Sequence, residues 1–269
     1  MILEILKYDF FQNGIAAAIL ASVVCGIMGT LIIEKKLVMM SGGIAHTAYG
    51  GVGLGYLLGI EPILGAVVFS VLAALGIGYI NRKGGVYTDI IIALFWSLGM
   101  ALGIFFIGLM PGYPPDMSTY LFGNILTVTR SDLIIMAILA IVIVSVISIF
   151  WQDFKAWLFD SYFSRIMGLK TISMEYGLLI LIALTVVVLI RVAGIILVIA
   201  LLTAPSGTAS LLSQKLSTRI WLSIVIGLFG SISGLFISYF LNIASGATII
   251  MFSVLIYGLV YAFKHLKHR

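Results

Sequence analysis

Apolar runs of about 20 residues recur along the whole chain, and each is long enough to cross roughly 30 Å of hydrocarbon as a helix. This recurrence restricts the fold more than any single motif. In hydrocarbon every backbone N–H and C=O must find its partner within the protein, which leaves helices or closed barrels. A barrel would show segments of roughly 10 residues with alternating polarity, and runs such as Leu178–Ile190 do not alternate. The 269 residues are 62% hydrophobic and 9% charged, far from the charged fraction of about 25% in soluble domains. The chain therefore reads as an all-α, polytopic transmembrane bundle, with residues 1–269 forming one membrane domain.

Spans are expected near 14–33, 37–59, 63–80, 89–109, 132–151, 175–190, 192–212, 220–241 and 247–263, about eight or nine crossings. If the end of the first span, with Lys35 and Lys36, faces the cytoplasm, alternation also places Arg82, Lys83, Lys155, Arg165, Lys170, Lys215, Arg219, Lys264, Lys267 and Arg269 inside. That is twelve of the fifteen basic residues, the asymmetry that orients membrane proteins, and it sets the N-terminus outside and the C-terminus inside. Arg191 interrupts a run too long for one span and reads as a turn residue snorkelling to the outer interface, ahead of a buried ion pair.

The net charge of +5 is spread singly or in pairs between apolar runs, so it marks topology and not a nucleic-acid surface. The tail around His265 and His268 is basic and suits anionic lipid. Cys25 is the one cysteine; it excludes an intrachain disulfide and reads as a small buried hydrophobe. The first 13 residues, with Glu4, Lys7 and Asp9, lack the pattern of a signal peptide and suggest an interfacial helix.

Four stretches carry functional signals. Leu37–Gly59 is span-length yet holds His46 near its middle and six glycines between Gly42 and Gly55. An imidazole at that depth is costly unless it faces a partner, an ion or water, and Gly42 and Gly43 let neighbouring backbone come close. In the span near 192–212, Pro205 removes a helical hydrogen bond and Gly207 loosens the next turn, as in broken helices that line transport paths. The outer loop Met110–Asp132, with Pro111, Gly112, Pro114 and Pro115, suggests a turn and a short surface helix suited to an external partner. The inner loop Gln152–Ser173 carries Phe159, Phe163 and Met167 at intervals of four, an amphipathic helix ending at Gly168 that is either a bilayer-surface connector or a knob for a cytosolic partner. Small-residue pairs, Gly99 with Gly103 and Gly230 with Gly234, are expected to allow close helix packing.

In order along the chain stand Lys-Lys after the first span, Gly-Gly-Ile-Ala-His in the second, Leu-Phe-Gly-Asn-Ile-Leu outside and Phe-Asp-Ser-Tyr-Phe-Ser-Arg-Ile-Met-Gly inside. Arg-Val-Ala-Gly-Ile-Ile-Leu-Val and Ala-Pro-Ser-Gly-Thr-Ala follow. This series resembles the membrane permeases of zinc and manganese ABC importers over nearly the whole chain. The resemblance implies a homodimer, two cytosolic ATPase subunits and an external metal-binding protein. ATP would be bound and hydrolysed on the partner subunit, and no cofactor or catalytic residue belongs to this chain; it also lacks a Gly-x-x-x-x-Gly-Lys-Ser/Thr phosphate loop.

The resemblance further implies that the segment near 156–168, with Phe159, Asp160, Phe163, Arg165 and Gly168, is the coupling helix seated in a groove of the ATPase. It implies that His46 is the histidine of the family's Asp-x-x-x-His metal pattern. The chain departs from that pattern: Gly42 stands at the carboxylate position, and Asn242 stands where a later family motif often has Asp. Imidazole with few carboxylates suits zinc better than manganese. The missing carboxylates also leave room for an organic or chelated cargo on the same machinery, and an ATP-independent carrier or channel is the alternative from another class.

Overall fold

The fold is taken from a computed structural model whose described residues are 7–83, 88–112, 117–123 and 125–267. Glu4, Pro114, Pro115, Asn124, His268 and Arg269, all invoked above, lie outside them. Regular structure among the described residues is helical throughout: α1 (Asp9–Glu34), α2 (Val38–Leu58), α3 (Pro62–Arg82), α4 (Thr88–Gly108), α5 (Ser118–Phe122), a 3-10 turn (Ile125–Thr127), α6 (Arg130–Ile149), α7 (Trp151–Phe159), α8 (Ser161–Ile166), α9 (Thr171–Leu212), α10 (Leu216–Leu241) and α11 (Ser245–Lys267). Seven of these, α1, α3, α4, α6, α9, α10 and α11, are long and apolar enough to cross a membrane.

Two of the expected spans take a different form. α2 has 21 residues but is not among the seven, because its glycines, Ser41, His46 and Thr47 dilute its hydropathy. Residues Met40 through Gly53 are all buried, so its polar groups meet protein and not hydrocarbon. The 42 residues of α9 would measure about 63 Å as one helix, twice the hydrocarbon thickness. The helix is broken at Gly194, whose φ of 73° and ψ of 159° are not helical.

The chain divides into two compact units. The first comprises Met1–Glu34, Ser118–Val142 and Leu189–Arg269; the second comprises Lys35–Met117 and Ile143–Val188.

In the first unit, close backbone approach sets the packing. A Cβ on Gly26 would come within 2.6 Å of Ile224, joining α1 to α10, and one on Gly29 would strike the Leu202 carbonyl of α9. Gly234 sits 2.7 Å, measured the same way, from Ile249 Cα, and Gly230 faces Ser253, so this small-residue pair holds α10 against α11. The break at Gly194 is clamped as well: Cβ atoms on Gly194 and Gly123 would each fall on the other segment's backbone, and Gly123 also has positive φ, 65°. Only glycine satisfies both the conformation and the contact.

The start of α1 corrects one expectation for residues 9–13; residues 1–6 of that segment lie outside the described residues. Asp9–Asn13 are the first residues of the long helix, not a separate interfacial one. Phe11 is buried edge-on against Phe236 and Tyr239, at 5.1 and 5.8 Å between ring centroids, and Asn13 Nδ2 donates to the Val128 carbonyl at 3.2 Å.

Arg191 corrects another. Its Nε lies 2.9 Å from Asp132 Oδ1, with the Asp132 side chain 8% and the Arg191 side chain 39% exposed. It is an ion-pair partner within the helix and not a snorkelling turn residue. Asp132 is positioned by a reciprocal cap at the start of α6: its Oδ2 accepts from Thr129 N at 3.0 Å, while Thr129 Oγ1 accepts from Asp132 N at 3.3 Å. Arg191→Leu is expected to leave a buried carboxylate without its cation and to destabilise the protein by about 1–3 kcal/mol, below the range for a fully buried broken pair because Arg191 is partly screened by solvent. Thermal unfolding in detergent measures it, and the Arg191→Leu/Asp132→Asn double variant should recover much of the loss.

In the second unit, α2 is the central element between α3 and α4. Gly51 and Gly65 face each other so closely that a Cβ on either would strike the other's carbonyl, and Gly55 abuts Pro62. On the other side a Cβ on Gly50 would come within 2.9 Å of the Gly99 carbonyl, and one on Gly53 within 2.6 Å of the Gly103 carbonyl. Gly99 and Gly103 thus form a close-packing pair, as their spacing suggests. Gly78 of α3 meets Leu179 and Tyr176 of α9.

Candidate transport site and coupling surface

His46 lies at mid-helix in α2, 8% exposed. Its ring stacks on Trp96 of α4, with centroids 3.9 Å apart and planes 13° from parallel. Nδ1 is 3.4 Å from the sulfur of Met100. Trp96 and Met100 are four residues apart and so share a face of α4. That face is drawn onto α2 by Gly99, where a Cβ would come within 2.8 Å of the His46 carbonyl oxygen. Next to the histidine, Thr47 Oγ1 lies 2.7 Å from the Gly43 carbonyl and 3.1 Å from that of Phe95, tying its own turn to α4.

Gly42 and Gly43 are part of the same contact. A Cβ on Gly42 would meet the Trp96 ring at 3.3 Å, and one on Gly43 the Ile92 side chain at 2.9 Å. Both glycines make room for α4. No group of three or more His, Cys, Asp or Glu suited to a metal ion occurs among the described residues. The neighbours of His46 are an indole and a thioether, neither of which the sequence reading singled out.

Pro205 and Asn242 belong to the first unit, whereas His46, Gly42 and Gly43 belong to the second. Pro205 lies buried inside α9, where it removes the backbone hydrogen bond to Leu201. The surroundings are polar: Ser206 Oγ is 2.7 Å from Ser223 Oγ of α10, and Thr203 Oγ1 donates to the Ile199 carbonyl at 2.8 Å. Asn242 is exposed and ends α10 in the left-handed conformation, φ 51° and ψ 44°, its N–H donating to the Ser238 carbonyl. Its local role is a helix stop, which asparagine performs with little strain.

The inner segment is two short helices and not one. Asp160 takes an extended conformation, φ −145° and ψ 104°, between α7 and α8, and its Oδ1 accepts from Phe163 N at 2.9 Å. This N-cap starts α8 and breaks the four-residue stripe, so Phe159 ends one helix while Phe163 lies on the next. Gly168, with φ of 85°, closes the segment as expected.

The pair of helices is anchored from beneath. Phe154, Trp157 and Leu158 are buried, Ser164 Oγ donates to the Asp160 carbonyl at 2.7 Å, and Lys35 Nζ donates to the Trp157 carbonyl at 2.7 Å while lying 3.9 Å from the Trp157 ring centroid. Lys35 is therefore a structural clamp as well as a topology signal. Above this base the apolar side chains stand free: Phe159 is 94% and Tyr162 76% exposed, with Phe163, Ile166 and Met167 also exposed. Arg165 sits exposed in the last turn of α8.

Comparison with known proteins follows these features along the chain. The model of the ABC 3 transport family matches residues 7–264. The uncharacterized membrane protein slr2045 of Synechocystis sp. is 39% identical, with 97% of this chain and 93% of the relative covered. The manganese transport system membrane protein MntC of Listeria innocua is 34% identical, over 96% of this chain and 92% of the relative. Among solved structures, PsaBC from Streptococcus pneumoniae in complex with Fab superposes with a TM-score of 0.87 at 33% identity, covering 97% of this chain and 95% of that one. Matched almost end to end in sequence and in fold, this chain belongs to the ABC 3 transport family and is a multi-pass membrane permease.

Proposed function

We propose that the chain is the permease subunit of an ATP-driven importer that moves a divalent transition-metal ion, zinc ahead of manganese, across the cell membrane by alternating access. The observation that carries this reading is the free apolar end formed by Phe159, Tyr162, Phe163, Ile166 and Met167. A cluster of this kind calls for a partner, and in a chain without a phosphate loop that partner is a separate cytosolic ATPase. ATP belongs there, and no cofactor is assigned to this chain.

Nine crossings are proposed: the seven long apolar helices, with α9 counted twice across Gly194, and the buried α2. The N-terminus is then outside and the C-terminus inside, which puts the α7–α8 surface on the cytoplasmic side. A second copy of the chain completes the pathway, and an external metal-binding protein delivers cargo at the outer loop. The preference for zinc rests on an imidazole with a thioether beside it, in a chain whose described residues hold no group of three or more His, Cys, Asp or Glu suited to a metal ion. Relatives such as MntC carry manganese in their names, which supports manganese as the next cargo. Gly42 and Asn242, standing at carboxylate positions, favour a chelated metal as the second reading.

The test is accumulation by vesicles holding the permease with its ATPase, supplied with the binding protein and either free or chelated zinc. ATP-dependent uptake of the free ion is expected. Uptake of the chelate alone establishes the second reading, and uptake without the ATPase overturns both.

A further inference from the structure

The space beside Gly42 is filled. The indole of Trp96, which a Cβ at position 42 would meet at 3.3 Å, is the same ring that stacks on His46 at 3.9 Å. A side chain at residue 42 would press on that ring. Glycine at 42 and tryptophan at 96 are thus two halves of one arrangement, in which an aromatic ring lies against the position of the missing acid. One turn along α4, the Met100 sulfur reaches His46 Nδ1 at 3.4 Å. An imidazole, a thioether and a π face converge on one point of a buried helix.

These three groups share a chemical preference. Thioether sulfur is a soft ligand, and imidazole suits zinc and copper, whereas manganese is held by carboxylate, carbonyl and water oxygens. An indole face attracts a cation most strongly when the cation has shed its water. Methionine is unbranched and can swing to admit an ion without moving its helix. Trp96 and Met100 also share one helix face, fixed to α2 by Gly99 and Gly103.

We propose that Trp96 and Met100 are the specificity-determining partners of His46 and make its site selective for a thiophilic cation, zinc(II) or copper(I), against manganese(II). This rests on the reading of the chain as a metal permease and names the class of ion within it. The His46–Met100 contact is the empty arrangement; the ion enters between nitrogen and sulfur, with the indole closing one side.

The experiment titrates the permease–ATPase complex in lipid nanodiscs with Zn²⁺, with Ag⁺ as a redox-stable stand-in for copper(I), and with Mn²⁺, following tryptophan fluorescence and metal-stimulated ATP hydrolysis. Wild type should bind Zn²⁺ or Ag⁺ undisturbed by roughly hundredfold excess Mn²⁺, and which of the two binds identifies the ion. Met100→Leu, close to isosteric and so expected to fold, should weaken the soft cation by about 10- to 100-fold, the scale seen when a metal site's supporting groups are removed. Its preference for the soft cation over Mn²⁺ should fall by the same factor. Gly42→Asp with Trp96→Leu should shift preference toward Mn²⁺. If His46→Ala abolishes binding while Met100→Leu keeps the wild-type zinc-to-manganese ratio, the inference is overturned and the metal-permease reading stands. If the intact, ATP-hydrolysing wild-type complex responds to none of the three ions, the metal reading fails and the inference goes with it.

Discussion

Gly51→Val is expected to abolish stable folding of the second unit. The backbones of α2 and α3 touch at Gly51 and Gly65, where a Cβ on either residue would strike the other's carbonyl. No flexible side chain stands there to move aside, so the helices themselves must separate. Separation would also disturb the opposite face of α2, where Gly50 and Gly53 seat against Gly99 and Gly103. Overpacking in a well-filled core costs about 1–3 kcal/mol, and forced parting of two helices adds lost contacts along their length, for a total of about 4 kcal/mol or more. Much of the stability of an ordinary domain is of this size. Fluorescence-detected gel filtration after mild heating measures it: Gly51→Val should aggregate well below wild type, while Gly258→Ala, where an added methyl group meets nothing within 4 Å, should match wild type.

The second large effect concerns the exposed apolar end of α7 and α8, proposed to face the cytoplasm. Phe159→Asp with Phe163→Asp is expected to separate the permease from its ATPase without unfolding it. Both rings are exposed, Phe159 at 94%, so charges placed there stay in water when the permease is alone. The base of the segment, held by Trp157, Lys35 and the Asp160 cap, is untouched. In a complex these rings would be apolar anchors, and loss of each such anchor commonly costs about 2–4 kcal/mol, or roughly 30- to 1,000-fold in affinity. Co-purification with the ATPase should fall from stoichiometric to undetectable, with unchanged thermal stability of the permease. Full retention of the ATPase would remove this surface from the coupling account.

What the sequence made legible follows from which signals act locally. The long helices appear near their expected positions because hydrocarbon admits little else, and Gly99, Gly103, Gly230 and Gly234 act through their missing side chains, which any reading registers. The break at Asp160 was hidden because the four-residue spacing of Phe159, Phe163 and Met167 runs straight across it. A single side-chain cap outweighed the periodicity. The Arg191–Asp132 pair joins positions far apart in sequence, and a lone charge in an apolar run gives no sign of its partner. At the candidate site His46 stood out as the polar residue in its span. Trp96 and Met100 did not, because α4 is apolar on every side and a methionine or tryptophan there looks like any other lipid-facing residue. Their i, i+4 spacing, interleaved with the Gly99–Gly103 pair that presses α4 onto α2, is the signal that would have found them.

The central claim is that cargo passes His46, and the measurement closest to it is metal accumulation by cells expressing the permease, its ATPase and its binding protein, offered zinc, manganese, iron and cobalt together. Wild type should accumulate zinc in preference to the others. His46→Ala, assembled with the ATPase and still hydrolysing ATP, should accumulate zinc about tenfold less or worse, as expected for loss of the proposed ligand. Undiminished zinc accumulation by that variant would contradict the account.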